Sequence, residues 1–280
     1  MAPPITSSLS SQRGDFFAPR EKNRETEKKN PSTMRIPTRL IVGIGNIGKQ
    51  FKYTRHNIGF EVIEHFANRQ SDEPIEWKET NAGRVGSTSV RFSTRSNDLD
   101  LIDLSSKRRR ETTIKEGVPY PSMRCTMLFP STFVNRSGSA VLQTIQRDRL
   151  KLRTNAMSMN GMDELIVVTD DVNVPFGQIR MRPSGGHGGH NGLRDITSRL
   201  GTNKYVRLRI GVGQADSGVA LDKHVLGKFS SNEMKLLPSV LDFASDVLSV
   251  YIHRGYNAAG TVANSWDLDK YHSVLKEERS

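Results

Sequence analysis

The 280-residue sequence predicts an α/β fold: a single globular domain with a central mixed, twisted β-sheet covered by helices on both faces. Two observations carry this expectation. Short, β-branched apolar runs alternate along the chain with segments of helical period, the pattern of strands feeding crossover helices. Two further strand-like segments flank one polar interruption as the arms of a hairpin would, which adds antiparallel neighbours to the parallel ones. With 35% hydrophobic residues the chain can bury a core of ordinary size.

The elements follow in order. Residues 1–36 are rich in Ser, Pro, Lys, Arg and Glu without apolar period and read as a disordered N-terminal extension. The first fourteen contain Arg13, several serines and no acid, as a mitochondrial transit peptide would, but Asp15, Glu21, Glu25 and Glu27 follow, so the compartment stays open between mitochondrial and cytoplasmic. Arg39 to Gly43 is the first strand. Helical period begins near Ile58, where Ile58, Val62, Ile63, Phe66 and Ala67 share one face. Gly83 to Phe92 and Met123 to Phe129 are the hairpin arms, and 95–121, with the basic run Lys107 to Arg110, reads as a disordered surface insertion between them. Helical segments are expected at Ser139 to Leu150, Leu193 to Leu200 and Pro238 to Arg254. Strands are expected at Leu165 to Thr169, Ile179 to Met181 and Val206 to Val212. The domain should therefore span 37–270, with a tail at 271–280.

Lys and Arg number 41 against 30 Asp and Glu, a net charge of +11, which points to a polyanionic partner, nucleic acid being the commonest. Part of the excess lies in the extension and insertion. Arg180, Arg182, Arg194, Arg199, Lys204, Arg207 and Arg209, however, cluster in one segment of the folded part. The single cysteine, Cys125, sits in an apolar stretch and reads as a small buried hydrophobe in a reducing compartment. No apolar run approaches the ~20 residues needed to cross a bilayer, so no membrane partner is expected.

Gly43, Gly45 and Gly48 in LIVGIGNIGKQF have the G-x-G-x-x-G spacing of a dinucleotide site. That site needs the third glycine to open a helix and an acid at the next strand end. Here a loop intervenes before Ile58, and Glu61 and Glu64 fall on the helix's polar side, which argues against a nucleotide-dependent oxidoreductase. The glycines are expected instead to let the backbone approach a substrate.

Four polar clusters stand beside predicted element ends: GNIG with TRHNIG (Asn46, Arg55, His56, Asn57), PSTFVNRSG (Asn135), VVTDDVNVPFG (Asp170, Asp171, Asn173) and SGGHGGHNGLRD (His187, His190, Asn191). Asparagines, a histidine and an aspartate on loops suit proton transfer and hydrogen bonding of a polar, mostly uncharged substrate. Each has a plainer reading: Asn46 stabilises a turn, Asn135 caps the helix starting near Ser137, Asp170 with Asp171 binds a metal, His187 with His190 resembles a ligand pair. Zinc needs three or four ligands and cysteine is unavailable, so the glycines around the histidines fit a backbone-approach loop better. No G-x-S-x-G elbow is present. His56 is the strongest base candidate among seven histidines.

These motifs, with RLRIGVG after them, resemble the bacterial-type peptidyl-tRNA hydrolases in order and placement over about Thr38 to Trp266. The resemblance implies hydrolysis of the ester joining a peptide to the terminal ribose of tRNA, by a monomer that needs no cofactor and no metal. It further implies His56 as catalytic histidine, Asp170 as its supporting aspartate, and Asn46, Asn135 and Asn191 as the asparagines that position peptide, water and the 3′ end. Phe51, Phe133 and Val134 would border the substrate, and Arg182 with Arg209 would clamp the 5′ phosphate. Ile47 stands where the family usually has proline, Phe51 where it has tyrosine, Val134 where methionine is frequent, Asn173 where aspartate is common, and Arg182 where lysine is frequent. None of these departures removes a catalytic group. A rival implication is a non-catalytic RNA-binding relative acting in splicing or ribosome maturation. Such a binder should have lost the base, whereas His56 and Asp170 are both kept.

Overall fold

The computed structural model describes residues 38–70, 75–90, 123–148 and 162–268. The expected extension 1–36, insertion 95–121 and tail 271–280 lie outside the described residues, as do Arg91, Phe92, Arg149 and Leu150 at the ends of two expected elements.

Seven strands form one sheet among the described residues: β1 (Thr38–Gly43), β2 (Trp77–Thr80), β3 (Gly83–Val90), β4 (Met123–Pro130), β5 (Met162–Asp171), β6 (Ile179–Arg182) and β7 (Tyr205–Gly211), in the order β2-β3-β4-β1-β5-β7-β6. β1 pairs parallel with β4 and β5, and β5 with β7, whereas β2–β3, β3–β4 and β6–β7 are antiparallel. The sheet is mixed, as expected. The expected hairpin is the β3–β4 pair, in register from Gly83 opposite Pro130 to Val90 opposite Met123.

The central strands are apolar on both sides because both sides are covered. Ile41, Met127, Ile166 and Leu208 join one buried cluster, and their alternating neighbours Leu40, Val42, Leu128, Leu165 and Val167 join a second. Over the first cluster lie helix α1 (Ile58–Gln70), whose predicted apolar face enters the core intact, and the long C-terminal helix. Over the second lie α2 (Ser137–Arg147) and α3 (Asn191–Leu200).

Two elements were not foreseen: the charged edge strand β2 and the short helix α4 (Leu221–Leu226). The last helix, α5 (Ser231–Asn264), is longer than its expected span of Pro238 to Arg254. Its true start is a capping box: the Ser230 side chain accepts from the Glu233 N–H while the Glu233 carboxylate accepts from the Ser230 N–H. Pro238, the expected start, lies inside the helix. The expected end at Arg254 coincides with a break at Gly255, whose φ of 77° no helical residue adopts, before the chain resumes helix to Asn264.

The glycines of GIGNIG correct another expectation. A Cβ on Gly43 would stand 2.5 Å from the Gly59 carbonyl oxygen, and one on Gly45 2.8 Å from the Phe60 ring. Both glycines serve the close approach of α1 to β1 rather than a substrate's approach to the backbone.

Candidate functional site

After β1 the chain turns to α1 on one face of the sheet, and after the adjacent parallel β4 it turns to α2 on the other. Diverging connections at neighbouring carboxyl ends open a crevice, the place where open α/β sheets hold ligands. Among the described residues, one hydrogen bond spans this crevice: the Val134 N–H, after β4, donates to Asn46 Oδ1, after β1, at 3.1 Å. Asn46 is therefore no local turn residue. Asn46 lines the cleft, and its Nδ2 has no hydrogen-bond partner among the described residues.

Each residue of the TRHN motif has a separate task. Thr54 Oγ1 donates to the Phe51 carbonyl at 2.7 Å. Arg55 ties the loop to the start of α5, donating to the Lys228 carbonyl and pairing with Glu233 at 2.7 Å. His56 reaches Asp170. Asn57, which sequence reasoning noted without a role, brackets the Asn46 backbone, accepting from its N–H at 2.8 Å and donating to its carbonyl at 2.9 Å. The loop enters this arrangement through Tyr53 at φ 60°, a strained conformation held by bonds from Tyr53 N–H to Glu61 and from Phe229 N–H to the Tyr53 carbonyl.

The buried carboxylate of Asp170, at the end of β5, meets two imidazoles through one oxygen, Oδ1. His56 Nδ1 lies 2.9 Å away and His190 Nε2 3.0 Å away. The tautomers follow from the other partners. His190 Nδ1 accepts from the Gly192 and Leu193 N–H groups and so caps α3, which leaves the proton on Nε2 to donate to Asp170 and Thr169 Oγ1. Gly188 and Gly189, at φ 57° and 84°, supply the left-handed turn that brings His190 to this position. His56 in turn donates from Nδ1, leaving its Nε2 lone pair available.

Electrostatics follow this geometry. Burial disfavours the Asp170 carboxylate, but the adjacent imidazoles of His190 and His56 outweigh it and hold the carboxyl well below the usual carboxylate range. Burial lowers the His56 pKa, yet the Asp170 charge and hydrogen bond prevail and the net shift is upward from 6.5. Nitrogen and oxygen atoms of His56, Asp170 and His190 fall within 4.8 Å of one another, a spacing open to a metal. His190 is a poor ligand as placed, because backbone donors occupy one nitrogen and the proton sits on the other.

Asp170 and Asp171 are not a joint ligand pair. Asp171 Oδ1 accepts from the Asn173 N–H, and Oδ2 pairs with Arg209 at 2.8 Å. The Arg209 guanidinium also donates to the Gly186 carbonyl. The cleft, of about 530 Å³, joins Asn46, His56, Asp170, Asn135 and Asn191 on its polar side. Phe133, 55% exposed, Val134, Leu221, Val225 and Leu226 form its apolar wall. Asn135 provides no side-chain cap to α2, whose first turn is closed instead by Asp195 accepting from the Gly138 N–H. Phe51 and Arg182 do not line the cleft. Arg182 lies exposed on edge strand β6, where Nη1 donates to Asn264 Oδ1 at 3.3 Å. Arg207 of the expected basic cluster is not a surface cation: it is fully buried, its guanidinium 4.1 Å over the Tyr205 ring and donating to the Tyr205 and Asn203 carbonyls. Cys125 is buried with its thiol pushed up to about 12, and carries no chemistry. Sequence reasoning missed the His190–Asp170 bond and the α4 wall. The paired glycines ahead of an N-cap histidine were the available signal for the first, while a six-residue helix gave none for the second.

The sequence profile of the family described as peptidyl-tRNA hydrolase matches residues 40–271. The chain is 35% identical over 232 residues to the peptidyl-tRNA hydrolase of Geobacter metallireducens, covering 83% of this chain and 97% of that protein. It is 32% identical over 227 residues to the peptidyl-tRNA hydrolase of Gloeobacter violaceus, covering 81% and 94%. Among solved structures, the peptidyl-tRNA hydrolase of Acinetobacter baumannii superposes with a TM-score of 0.62 at 27% identity, covering 82% of this chain and 96% of that one. A peptidyl-tRNA hydrolase in complex with N-propanol gives 0.60 at 28% identity, covering 82% and 96%.

Proposed function

The chain belongs to the peptidyl-tRNA hydrolase family, and from that premise we propose that it hydrolyses the ester between peptide and tRNA in peptidyl-tRNA, releasing free tRNA, with His56 as general base. The observation that carries this reading is the 2.9 Å bond from His56 Nδ1 to Asp170 in a cleft that Asn46 also lines.

In this mechanism His56 Nε2 takes a proton from water as the water's oxygen attacks the ester carbonyl. Asp170, ionised and immobile, fixes the tautomer and stabilises the imidazolium that forms. Asn46 Nδ2 donates to the developing oxyanion, a contribution typically worth ~3 kcal/mol in hydrolases. When the tetrahedral intermediate collapses, the imidazolium returns its proton to the departing ribose oxygen. The products are a peptide carboxylate and a tRNA with a free terminal hydroxyl. No cofactor or metal takes part in these steps.

Asn135 and Asn191 offer amides for the peptide and the tRNA 3′ end, with Phe133 and Val134 supplying apolar contact. Phe51 is assigned to the outer border of the substrate path. Arg182 and Arg209 receive the terminal phosphate: the register of β6 and β7 puts Arg180 opposite Arg209 and Arg182 two residues further along β6, so the Arg182 and Arg209 side chains leave the same side of the sheet. In this reading 37–270 is the catalytic domain, acting as a monomer.

The test is turnover of N-acetyl-aminoacyl-tRNA by the purified protein, with unmodified aminoacyl-tRNA as control. Release of the N-acetylated amino acid alone supports the reading. Binding of tRNA without release would reject it in favour of a non-catalytic RNA-binding protein.

A further inference from the structure

The loop from Pro183 to His190 delivers His190 to Asp170, and although His190 itself is fixed by the α3 N–H groups and Thr169, little within the preceding loop holds it. Its internal bonds are two: His190 N–H to the His187 carbonyl at 2.9 Å and Gly189 N–H to His187 Nδ1 at 3.1 Å. A Cβ placed on Gly185, Gly186 or Gly189 would meet nothing within 4 Å, so the loop does not pack against its surroundings at these positions. The one atom that a Cβ on Gly188 would approach is Nη1 of Arg209, at 3.7 Å. Arg209 is the loop's tether. Its Nη2 donates to the Gly186 carbonyl at 2.9 Å while Nη1 donates to Asp171 Oδ2 at 2.8 Å. Asp171 is the chain neighbour of Asp170, so one planar group joins the middle of the loop to the strand end that carries the carboxylate.

We propose that Arg209 is a positioning residue for the chemistry, a strut that fixes the 183–190 loop to Asp171 and thereby keeps His190 donating to Asp170. This role rests on the hydrolase reading and is separate from phosphate contact. Its consequence is felt at His56. The charged or titratable groups facing that imidazole are Asp170 from β5 and His190 from the loop, whose ring centroid lies 4.9 Å away. When the strut is cut, His190 donates to Oδ1 less often and the carboxylate's charge falls more fully on His56. The imidazolium is then favoured up to a higher pH.

The experiment uses the full chain with Asp171→Asn and Arg209→Lys, measuring kcat and KM against pH on N-acetyl-aminoacyl-tRNA with and without its 5′ phosphate. Thermal unfolding confirms that each variant is folded. Asp171→Asn should lower kcat at neutral pH by about tenfold or more, because a displaced catalytic group loses the geometry the transition state needs. It should move the acid limb of the profile to higher pH, and both effects should persist on the dephosphorylated substrate. Arg209→Lys should show the same signature more weakly, since an ammonium can meet only part of the fork. If Arg209 served the phosphate alone, removing the neighbouring anion would free it: KM would fall on the phosphorylated substrate only, with kcat and the acid limb unchanged, and the strut would be rejected. An Arg209→Lys penalty that vanished on dephosphorylated tRNA would reject the strut as well. Absence of turnover by the unaltered chain would overturn the hydrolase reading, and this role with it.

Discussion

At the scale of single residues, the site is a hydrogen-bond chain in which each donor is assigned by another contact. His190 must donate because two backbone N–H groups occupy its other nitrogen, and His56 must donate because Asp170 only accepts. His56→Ala should therefore lower the hydrolysis rate at least ~100-fold, the usual lower range for loss of a general base, with tRNA binding retained in a filter-binding assay. Asp170→Asn should have the same direction and a smaller size, since the base survives with a weaker partner. The pH dependence follows from the upward shift at His56. The base works only when neutral, so kcat should rise with pH along a limb whose midpoint lies above 6.5, and a midpoint below 6.5 would contradict the Asp170 contact. Stability has the opposite sign: the imidazolium–carboxylate contribution is fully present below the unfolded imidazole value and fades as pH rises through the folded one.

Among elements, the hairpin has one end beside the chemistry and the other remote from it. The β3–β4 register starts at Gly83 opposite Pro130, beside the loop that carries Phe133 to Asn135, and ends at Val90 opposite Met123. Eight paired positions at ~3.4 Å per residue put about 24 Å between the two ends. The chain that leaves at Val90 and returns at Met123 thus departs from the end of the hairpin remote from the cleft. Replacing 95–121 by a short Gly/Ser linker should leave kcat/KM within about threefold of its original value, because changing loop length costs little. A folded deletion variant with most of its turnover lost would assign the insertion a part in the reaction. The TRHN loop depends instead on α5, through Arg55, Lys228 and the capping-box glutamate.

For the whole molecule, charge governs encounter and geometry governs chemistry. The net +11 should make tRNA affinity fall steeply with salt while kcat at saturation changes little. Arg182→Ala should raise KM about tenfold on 5′-phosphorylated substrate and much less on dephosphorylated substrate, since a bidentate guanidinium–phosphate contact is a charge-assisted bond; equal penalties on both would make Arg182 part of a diffuse basic face. The sequence by itself determined the mixed α/β class, both sides of the core and the apolar face of α1, and it singled out His56, Asp170 and Asn46 as candidates. These are legible because periodicity records which side chains are buried, and because a loop motif such as TRHN keeps its groups adjacent in the chain. Only the tertiary structure decided that Gly43 and Gly45 serve helix packing, that Arg207 is buried, that α5 begins at Ser231, and that His190 bonds to Asp170 and Arg209 to Asp171. Those outcomes depend on contacts between positions such as 171 and 209, which meet across neighbouring strands through a sheet register that no local pattern encodes.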